Sequence, residues 1–399
     1  MKFIFSESFG LNWNGYIARN EKGISGTHSA SMYLAEALAN LGHDVTIVNT
    51  SYHLKHILYK SKYSTHISKK NSELIYNNNI IKGEHLGVKY INMSDITDNI
   101  ECDHVITTYN TDDLQILEKV YNYKKLIMIM NNPFESNKNV ELLKKLDKNK
   151  IIIAYISNYS RDNILLLKEF VHVSDYSFLK HFNNILLHNS IDISDIKPIT
   201  EKDNSFIFFA CLERGYKVAL EVRDRFNPEF KMYTNTYADN NRKKIEVNNN
   251  IIITENTSKN TIFEYCAKGK YFVYSFVDLD TGFVHNDTFA YVVLEALLHG
   301  VVVITPRLLL FEELYGDAIC YIETDDIIPR VELTHTKWDN KNFNFGLPLV
   351  DRYVEKLKLL ESNKELYNSY VQKGLLLKDK FDNKKIVNIL LDSIKDIIA

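Results

Sequence analysis

The chain has 399 residues, of which 45% are hydrophobic and 25% charged, and its formal net charge is −3. This length is typical of two or three domains, and the composition is that of an ordinary globular protein. The near-neutral charge excludes a global positive field that would recruit nucleic acid or an anionic membrane. Because no apolar run approaches the roughly 20 residues of a membrane helix, we predict no transmembrane segment.

The cysteines and the first residues indicate a cellular compartment. The four cysteines lie far apart without CxxC spacing, which indicates buried free thiols in a reducing compartment rather than disulfides or zinc ligands. The opening MKFIFSESFG is too short an apolar stretch for a signal peptide and predicts a first strand instead. We therefore expect a cytoplasmic protein.

Short β-branched runs alternate with longer amphipathic stretches in the first half of the chain. The predicted strands lie at 2–6, 44–49, 103–109, 125–130, 151–157 and 184–188. The predicted helices lie at 27–42, 111–122, 139–148 and 160–170. Gly42 follows the first of them, as is typical of a residue just past a helix end.

The alternation restarts after residue 200. The predicted strands lie at 205–211, 230–235, 250–255, 270–276, 301–306 and 318–323. The predicted helices lie at 215–226, 258–268, 288–299, 310–316, 351–361, 363–379 and 384–399. Nearly continuous apolar strands separated by helices predict parallel sheets that are covered on both faces. The expected fold class is therefore α/β, with two doubly wound, Rossmann-like domains facing a cleft. We place them at 1–188 and 189–383, with helix 384–399 packing back on the first domain.

One segment of the second domain contains an isolated carboxylate in almost wholly apolar surroundings. Residues 287–306 read DTFAYVVLEALLHGVVVITP, and Glu295 has Tyr291 and His299 among its neighbours at helical spacing. A buried charge is costly unless it is paired, so either the fold or a ligand must satisfy Glu295. A second acid, Asp287, lies at the predicted helix start.

This segment resembles the E-x7-E signature of retaining glycosyltransferases with two Rossmann-like domains, the GT-B type of the glycogen-synthase-like family 4 (glycosyl transferases group 1). Members typically read ESFGLVVLEA, followed by a glycine and a β-branched strand. The match consists of the spacing from Asp287 to Glu295, the VVL between them, and the strand after Gly300.

The resemblance implies a donor-binding role for five residues. Glu295 would accept hydrogen bonds from the ribose hydroxyls of the donor nucleotide, which would satisfy a carboxylate without a protein partner. Asp287 would contact hydroxyls of the transferred sugar. Backbone N–H groups of Phe289 and Ala290 would face the sugar or the diphosphate. Tyr291, the next residue of the matched segment, is the fifth residue predicted to bind the donor. The alternative is a structural helix, with Asp287 as its N-cap and Glu295 bonded to a neighbouring strand.

A second segment, FIFFACLERGYKVALEVRDRF at 206–226, is similar to the family's strand–R-G-x-x–helix segment. It places Arg214, Gly215 and Lys217 where a strand ends and a helix begins. The resemblance implies that Arg214 and Lys217 clamp the donor diphosphate and stabilise the charge that grows as it leaves. The alternative is a solvated helical turn that carries two ordinary basic residues.

A third segment lies in the first domain. KGISGTHSASMYLAEALANLGHDVTIV is similar to the family's GGxxxxxxxLAxALxxxGHxVTV stretch, with Gly26 on the second glycine and Ser25 in place of the first. A small residue at a helix start lets the backbone approach a phosphate, so Gly26 and Thr27 are predicted to contact the donor. Two weaker matches follow in the family's order, at 154–165 and 186–198.

The sequence also departs from the family. Where a histidine is usual, the strand LIMIM runs into Asn131 and Asn132, whose amides can hydrogen-bond the sugar or the acceptor but cannot carry a proton charge. Asp287 replaces the first glutamate and is one methylene shorter. The DLD at 278–280 is comparable to the metal-binding DxD of single-domain glycosyltransferases, but two-Rossmann transferases generally work without a metal. We therefore expect no metal and no other cofactor.

The expected activity is retaining, metal-independent transfer of a hexosyl or related group. The donor would be a nucleotide-diphosphate sugar and the acceptor a hydroxyl of a glycan, a lipid or a small molecule, bound on the first domain. The predicted catalytic residues are Arg214, Lys217 and Asp287. Two alternatives stay open: a sugar-nucleotide epimerase or phosphorylase of the same fold, and a catalytically weakened protein that binds a nucleotide sugar or a glycan.

Overall fold

The structure is a computed structural model. It describes residues 1–7, 13–21, 24–49, 83–93, 96–108, 114, 117, 120–131, 137–166, 176–197, 199, 201–235, 250–254, 258–277, 287–324 and 346–398. The chain divides into two compact units, the first formed by residues 1–18, 24–191 and 383–399 and the second by residues 19–23 and 192–382.

The first unit contains an eight-stranded sheet. Its strands are β1 (Lys2–Glu7), β2 (Asp44–Asn49), β3 (Gly83–His85), β4 (Val88–Asn92), β5 (Ile100–Thr107), β6 (Tyr121–Met130), β7 (Ile151–Tyr155) and β8 (Asn183–Leu186). They lie in the order β3-β4-β2-β1-β5-β6-β7-β8, and every neighbouring pair is parallel except β3 with β4. Strand β1 pairs with β2 on one side and β5 on the other, so the strand order reverses between β1 and β5.

The second unit contains a six-stranded, fully parallel sheet. Its strands are β9 (Ser205–Phe208), β10 (Lys231–Asn235), β11 (Ile251–Thr254), β12 (Tyr271–Val273), β13 (Val302–Pro306) and β14 (Cys320–Ile322), in the order β11-β10-β9-β12-β13-β14. Every residue of β9 and β13 is buried, as is every residue of β7 in the first unit. Burial of successive residues requires cover on both faces, as the apolar strand sequences predicted.

The helices are α1 (Gly15–Asn20), α2 (Gly26–Asn40), α3 (Asn137–Lys145), α4 (Asn158–Leu166), α5 (Tyr216–Phe226), α6 (Lys259–Lys268), α7 (Tyr291–Leu298), α8 (Leu309–Tyr315), α9 (Gly346–Ser362), α10 (Lys364–Leu376), α11 (Lys378–Phe381) and α12 (Asn383–Ile398). Helix α12 belongs to the first unit and packs on α2. Within the ranges described above, no helix is both long enough and apolar enough to cross a membrane. The α/β class with two Rossmann-like sheets is confirmed.

A β-hairpin lies between residues 49 and 103, where no strand was predicted from the sequence. Strands β3 and β4 pair antiparallel there and add an edge to the otherwise parallel sheet. The turn between them is formed by Leu86 and Gly87, with φ angles of 48° and 77°. Such two-residue turns need a positive φ at both positions and usually read Asn-Gly or Asp-Gly. The exposed Leu86 gave no such signal.

Several predicted boundaries are also wrong. The predicted helix 111–122 overlaps β6, which already begins at Tyr121; most of the other residues of that segment lie outside the described residues. The predicted strands 205–211 and 270–276 end earlier, at Phe208 and Val273. The residues beyond these two strand ends carry the candidate site.

Candidate active site

An arginine, a tyrosine and an aspartate meet beside the carboxyl ends of β9 and β12. Arg214 ends a short 3₁₀ turn after β9, Tyr274 directly follows β12, and Asp287 lies just before α7. Arg214 Nη1 donates to Asp287 Oδ2 and, at 3.1 Å, to the hydroxyl of Tyr274. The Tyr274 hydroxyl in turn donates to Asp287 Oδ2 at 2.5 Å. These neighbouring strand ends are where parallel α/β sheets bind ligands.

Asp287 accepts hydrogen bonds on both carboxylate oxygens. Its Oδ1 accepts from the backbone N–H groups of Thr288 at 3.0 Å, Phe289 at 3.4 Å and Ala290 at 3.0 Å. Burial favours the neutral acid, but the charge of Arg214 and the donated hydrogen bonds outweigh it and lower the pKa of Asp287. Asp287 is therefore an ionised anchor of the loop before α7. Asp287 is not the N-cap that the structural alternative predicted, because α7 begins at Tyr291 and its N-cap is Ala290. The predicted sugar and diphosphate contacts of this segment stay predictions.

Glycine is required between Arg214 and α5. Gly215 has a φ of +103°, and a Cβ there would lie 2.0 Å from Ser275 Oγ and 3.1 Å from the Ser275 backbone nitrogen. The backbone N–H of Phe276 also donates to the Arg214 carbonyl at 3.2 Å. The absent side chain thus lets the turn that carries Arg214 approach the segment after β12 that carries Tyr274.

Ala290 has a left-handed backbone conformation, with φ 53° and ψ 67°, immediately before α7. This conformation costs an L-residue about 1–2 kcal/mol, whereas glycine costs the unfolded chain about 0.4–1 kcal/mol in entropy. We therefore expect Ala290→Gly to stabilise the second unit by about 0.5 kcal/mol in urea unfolding. Ala296→Gly, inside α7, is the control and should cost at least about 1 kcal/mol. An equal loss in both variants would contradict the strained backbone at Ala290.

Glu295 is satisfied by a lysine that the sequence analysis did not identify. Lys259, the first residue of α6, donates from Nζ to Glu295 Oε1, and both side chains are buried, with exposures of 5% and 3%. The Lys259 ammonium also lies 5.6 Å from the centre of the Tyr291 ring, within cation–π distance. The expectation that Glu295 has no protein partner is therefore wrong, and its partner lies on a helix rather than on a strand. No described residue hydrogen-bonds Oε2, which leaves that oxygen for a ligand hydroxyl.

The other residues of the second unit that were predicted to bind the nucleotide-sugar donor differ in their exposure to solvent. Lys217 lies in the first turn of α5, and its side chain is exposed. Phe289 is buried among aromatic rings, with the Tyr291 ring 5.1 Å away. The Phe289 carbonyl accepts from the hydroxyl of Tyr315. Phe289 is therefore a packing residue, while Lys217 faces solvent.

The predicted residues of the first unit lie at the carboxyl edge of its sheet. Gly26 and Thr27 begin α2, and Ser25 caps that helix by accepting from the His28 N–H at 3.3 Å. Asn131 directly follows β6 and is buried. Asn132 and the DLD at 278–280 lie outside the described residues. Among the residues that are described, no group of three His, Cys, Asp or Glu side chains could hold a metal ion.

Of the two site residues that were not predicted, Lys259 and Tyr274, only Lys259 has a recognisable signal in the sequence. Lys259 lies three, four and seven positions before Ile262, Phe263 and Cys266, so it belongs to the apolar face of α6. A lysine in that position needs a buried acid, and Glu295 was the unexplained one. Tyr274 gave no such signal, because it lies within the aromatic run KYFVYSF and only the fold brings it to Asp287.

Comparison with known proteins identifies the fold. No protein-family model matches the chain, and no curated protein matches it. The chain is similar in structure to sucrose-phosphate synthase from Thermosynechococcus elongatus, with a TM-score of 0.65 and 10% identity over 100% of this chain and 99% of that chain. The protein has the GT-B fold.

Two further GT-B structures are similar to it over nearly their whole length. One is Anabaena Alr3699/HepE in complex with UDP-glucose, with a TM-score of 0.58 and 9% identity over 99% of this chain and 100% of that chain. The other is the pneumococcal O-GlcNAc transferase GtfA in complex with UDP and GlcNAc, with a TM-score of 0.57 and 10% identity over 100% of this chain and 99% of that chain. At such identities the likeness establishes the GT-B fold, and the chemistry has to be argued from the residues.

Proposed function

We propose that the protein is a glycosyltransferase that moves a sugar from a nucleotide-diphosphate sugar to a hydroxyl acceptor. The proposal rests on two groups of bonded, charged side chains in the second unit. In one group Arg214 contacts Asp287 and Tyr274, and in the other Lys259 contacts Glu295. The first group supplies cationic N–H donors, and the second presents a carboxylate oxygen. A nucleoside diphosphate needs these two partners for its phosphates and its ribose.

Arg214 has the geometry to hold a leaving diphosphate. Both of its described contacts use Nη1, so the guanidinium retains the N–H donors on Nε and Nη2, and the side chain is 30% exposed. In the proposed mechanism Arg214, with Lys217, stabilises the negative charge that develops as the bond between the sugar and the diphosphate breaks. A diphosphate oxygen accepts the acceptor's proton on the same face of the sugar, which gives retention. The arginine and lysine charges replace a metal ion.

Glu295 fits the ribose role that the sequence predicted. Lys259 fixes Oε1, so the carboxylate cannot rotate freely and Oε2 is held in one orientation. Asp287 is proposed to orient the transferred sugar, and Asn131 and Asn132 to contact the sugar or the acceptor. A second candidate function is donor binding without transfer, because both Asp287 oxygens already accept hydrogen bonds from the protein.

A thermal-shift panel tests the donor site. UDP, GDP, ADP, dTDP and their common sugars are each added with and without EDTA; a ligand at 100 times its Kd stabilises the fold by about 2.7 kcal/mol. We expect one nucleotide family to raise the Tm, with no effect of EDTA. The shift should be lost in Glu295→Gln and kept in Glu264→Gln, an exposed acid on α6. No shift with any nucleotide would contradict the proposal, and binding without donor hydrolysis or transfer would favour the second candidate.

A further inference from the structure

A buried histidine at the end of α7 is not used by the donor site described above. His299 directly follows α7, four residues after Glu295, and its side chain is fully buried. Its neighbours come from α6, from α7 and from the segment that precedes β9, all within the second unit. One of them is the carbonyl group of Glu295 itself, so His299 directly contacts the residue proposed to bind the ribose.

The two imidazole nitrogens of His299 have different partners. Nδ1 lies 2.6 Å from the Glu295 carbonyl oxygen, which can only accept a hydrogen bond. Nε2 lies 3.2 Å from the Lys197 backbone nitrogen, which can only donate one. His299 is therefore the neutral tautomer that carries its proton on Nδ1. Burial lowers the pKa of His299 to about 4, so the imidazole keeps this form at neutral pH.

The bond to Glu295 replaces a main-chain bond at the end of α7. In a regular α-helix the His299 N–H would donate to the Glu295 carbonyl. Here it donates to the Ala296 carbonyl at 3.1 Å, and the Val301 N–H donates to the same carbonyl at 3.0 Å, as is common where helices end. This tighter turn leaves the Glu295 carbonyl to the imidazole. The His299 side chain therefore fixes the turn that carries the carboxylate.

Lys202 joins the end of α7 to the end of α6. Its Nζ donates to the His299 carbonyl at 2.7 Å and to the Cys266 carbonyl at 2.9 Å. Carbonyl groups in the last turn of a helix lack main-chain partners and carry partial negative charge, which favours a lysine there. The Phe263 ring of α6 also lies against the imidazole, with 4.8 Å between the ring centres. The segment before β9 thus holds together the two helices whose side chains form the buried ion pair.

The ion pair depends on how α6 and α7 lie against each other. Lys259 is the first residue of α6, whereas Lys202 bonds that helix near its last residue. Polar contacts therefore join the two helices at two places, through the Lys259–Glu295 pair and through Lys202. A shift of the turn that His299 holds would move the Glu295 carboxylate relative to Lys259. The orientation of Oε2, the oxygen left for a ligand, would change with it.

We propose that His299, held by Lys197 and Lys202, is a positioning residue for Glu295. It fixes the end of α7 so that Lys259 binds one carboxylate oxygen and the other keeps one orientation. That this second oxygen serves the ribose of a nucleotide rests on the proposed function, whereas the effect of His299 on the ion pair does not. Because His299 is fully buried, it acts on a ligand through Glu295.

Two amide variants separate the two imidazole bonds. The amide nitrogen of asparagine lies close to the position of Nδ1, so His299→Asn keeps the donor to the Glu295 carbonyl and loses the acceptor for Lys197. The amide oxygen of glutamine reaches the position of Nε2, so His299→Gln keeps the acceptor and loses the donor. Each variant loses one buried hydrogen bond. A purely structural role of His299 therefore predicts equal effects of the two changes.

A urea-unfolding cycle measures the effect on the ion pair without any ligand. Lys259→Met is introduced into the natural chain and into both variants, and the midpoint of the second unit's transition is recorded. In His299→Asn, Lys259→Met should lower the midpoint as far as it does in the natural chain. In His299→Gln it should lower the midpoint no more than about half as far, because Glu295 is no longer held opposite Lys259. An equal lowering in all three backgrounds, or an equal reduction in both variants, would overturn the assignment.

Nucleotide binding provides the second readout. UDP, GDP, ADP and dTDP are titrated calorimetrically into the natural chain, and the tightest binder is compared between variants. We expect its Kd to rise about tenfold in His299→Gln and less than about threefold in His299→Asn. His181→Gln, at an exposed histidine of the first unit, is the control and should leave both readouts unchanged. Equal rises in Kd would contradict positioning through the Glu295 carbonyl. If none of the four nucleotides binds, the proposed function fails and the urea cycle alone decides the role of His299.

Lys202→Met decides the assignment if the histidine variants do not fold. It removes the bonds to the two helix ends and leaves His299 in place. The lowering of the urea midpoint by Lys259→Met should fall to about half in this background and stay complete in Lys268→Met, at an exposed lysine of α6. A complete effect of Lys259→Met in the Lys202→Met background would show that the segment before β9 does not position Glu295.

Discussion

Lys259→Met should destabilise the second unit by about 3 kcal/mol, because it leaves the Glu295 carboxylate buried without its partner. Breaking one side of a buried ion pair costs about 3–5 kcal/mol, and methionine retains most of the packing of the lysine stem. The measurement is urea unfolding of the intact chain, with the midpoint of the second unit's transition compared between variants.

A double variant separates the ion pair from simple loss of packing. Lys259→Met combined with Glu295→Met should recover most of the loss, since two apolar side chains replace a buried pair at little or no cost. Lys268→Met, an exposed lysine of the same helix, should change stability by less than about 0.5 kcal/mol. A Lys259→Met variant as stable as the Lys268→Met control would show that the Lys259–Glu295 contact is not formed.

Arg214→Lys should lower the rate of donor turnover about 100-fold while the fold is retained. Lysine keeps the positive charge beside Asp287 but replaces the planar guanidinium with a compact ammonium, so it cannot bond Asp287 and Tyr274 through one nitrogen and offer a diphosphate two further N–H donors from others. Loss of one oriented donor to a developing oxyanion typically costs about 10²–10³ in kcat. The readout is nucleotide release from the sugar nucleotide that produces the thermal shift.

The same assay decides the role of Lys217. Its side chain is exposed, unlike that of Arg214, although the sequence paired the two as a clamp. A similar loss in Lys217→Ala would support that clamp, and an unchanged rate would assign the diphosphate contact to Arg214 alone. A full rate in Arg214→Lys would contradict the role proposed for the guanidinium itself.

The sequence by itself determined the parallel strands of the two sheets and the segment that carries Glu295. Unbroken apolar strands such as β13 must be buried on both faces, so their composition alone predicts a covered parallel sheet. Glu295 could also be recognised from the sequence as an isolated acid in an apolar predicted helix. A buried carboxylate needs a partner, either in the protein or on a ligand. The spacing of Asp287, Glu295 and Arg214 then gave the resemblance, and the GT-B fold confirmed the architecture.

Only the tertiary structure decided how these charges are satisfied. Lys259 and Glu295 come from different helices, and Lys202 bonds the carbonyl ends of α6 and α7 from a part of the chain that is far from both. The residue pattern of one element carries no information on which side chain of another element lies opposite it. The β3–β4 hairpin was missed for a related reason, since Leu86 adopts a backbone conformation that its residue type disfavours. Composition and periodicity indicate which residues of each segment must be buried. Which side chains then contact each other depends on which helices and strands the fold brings together.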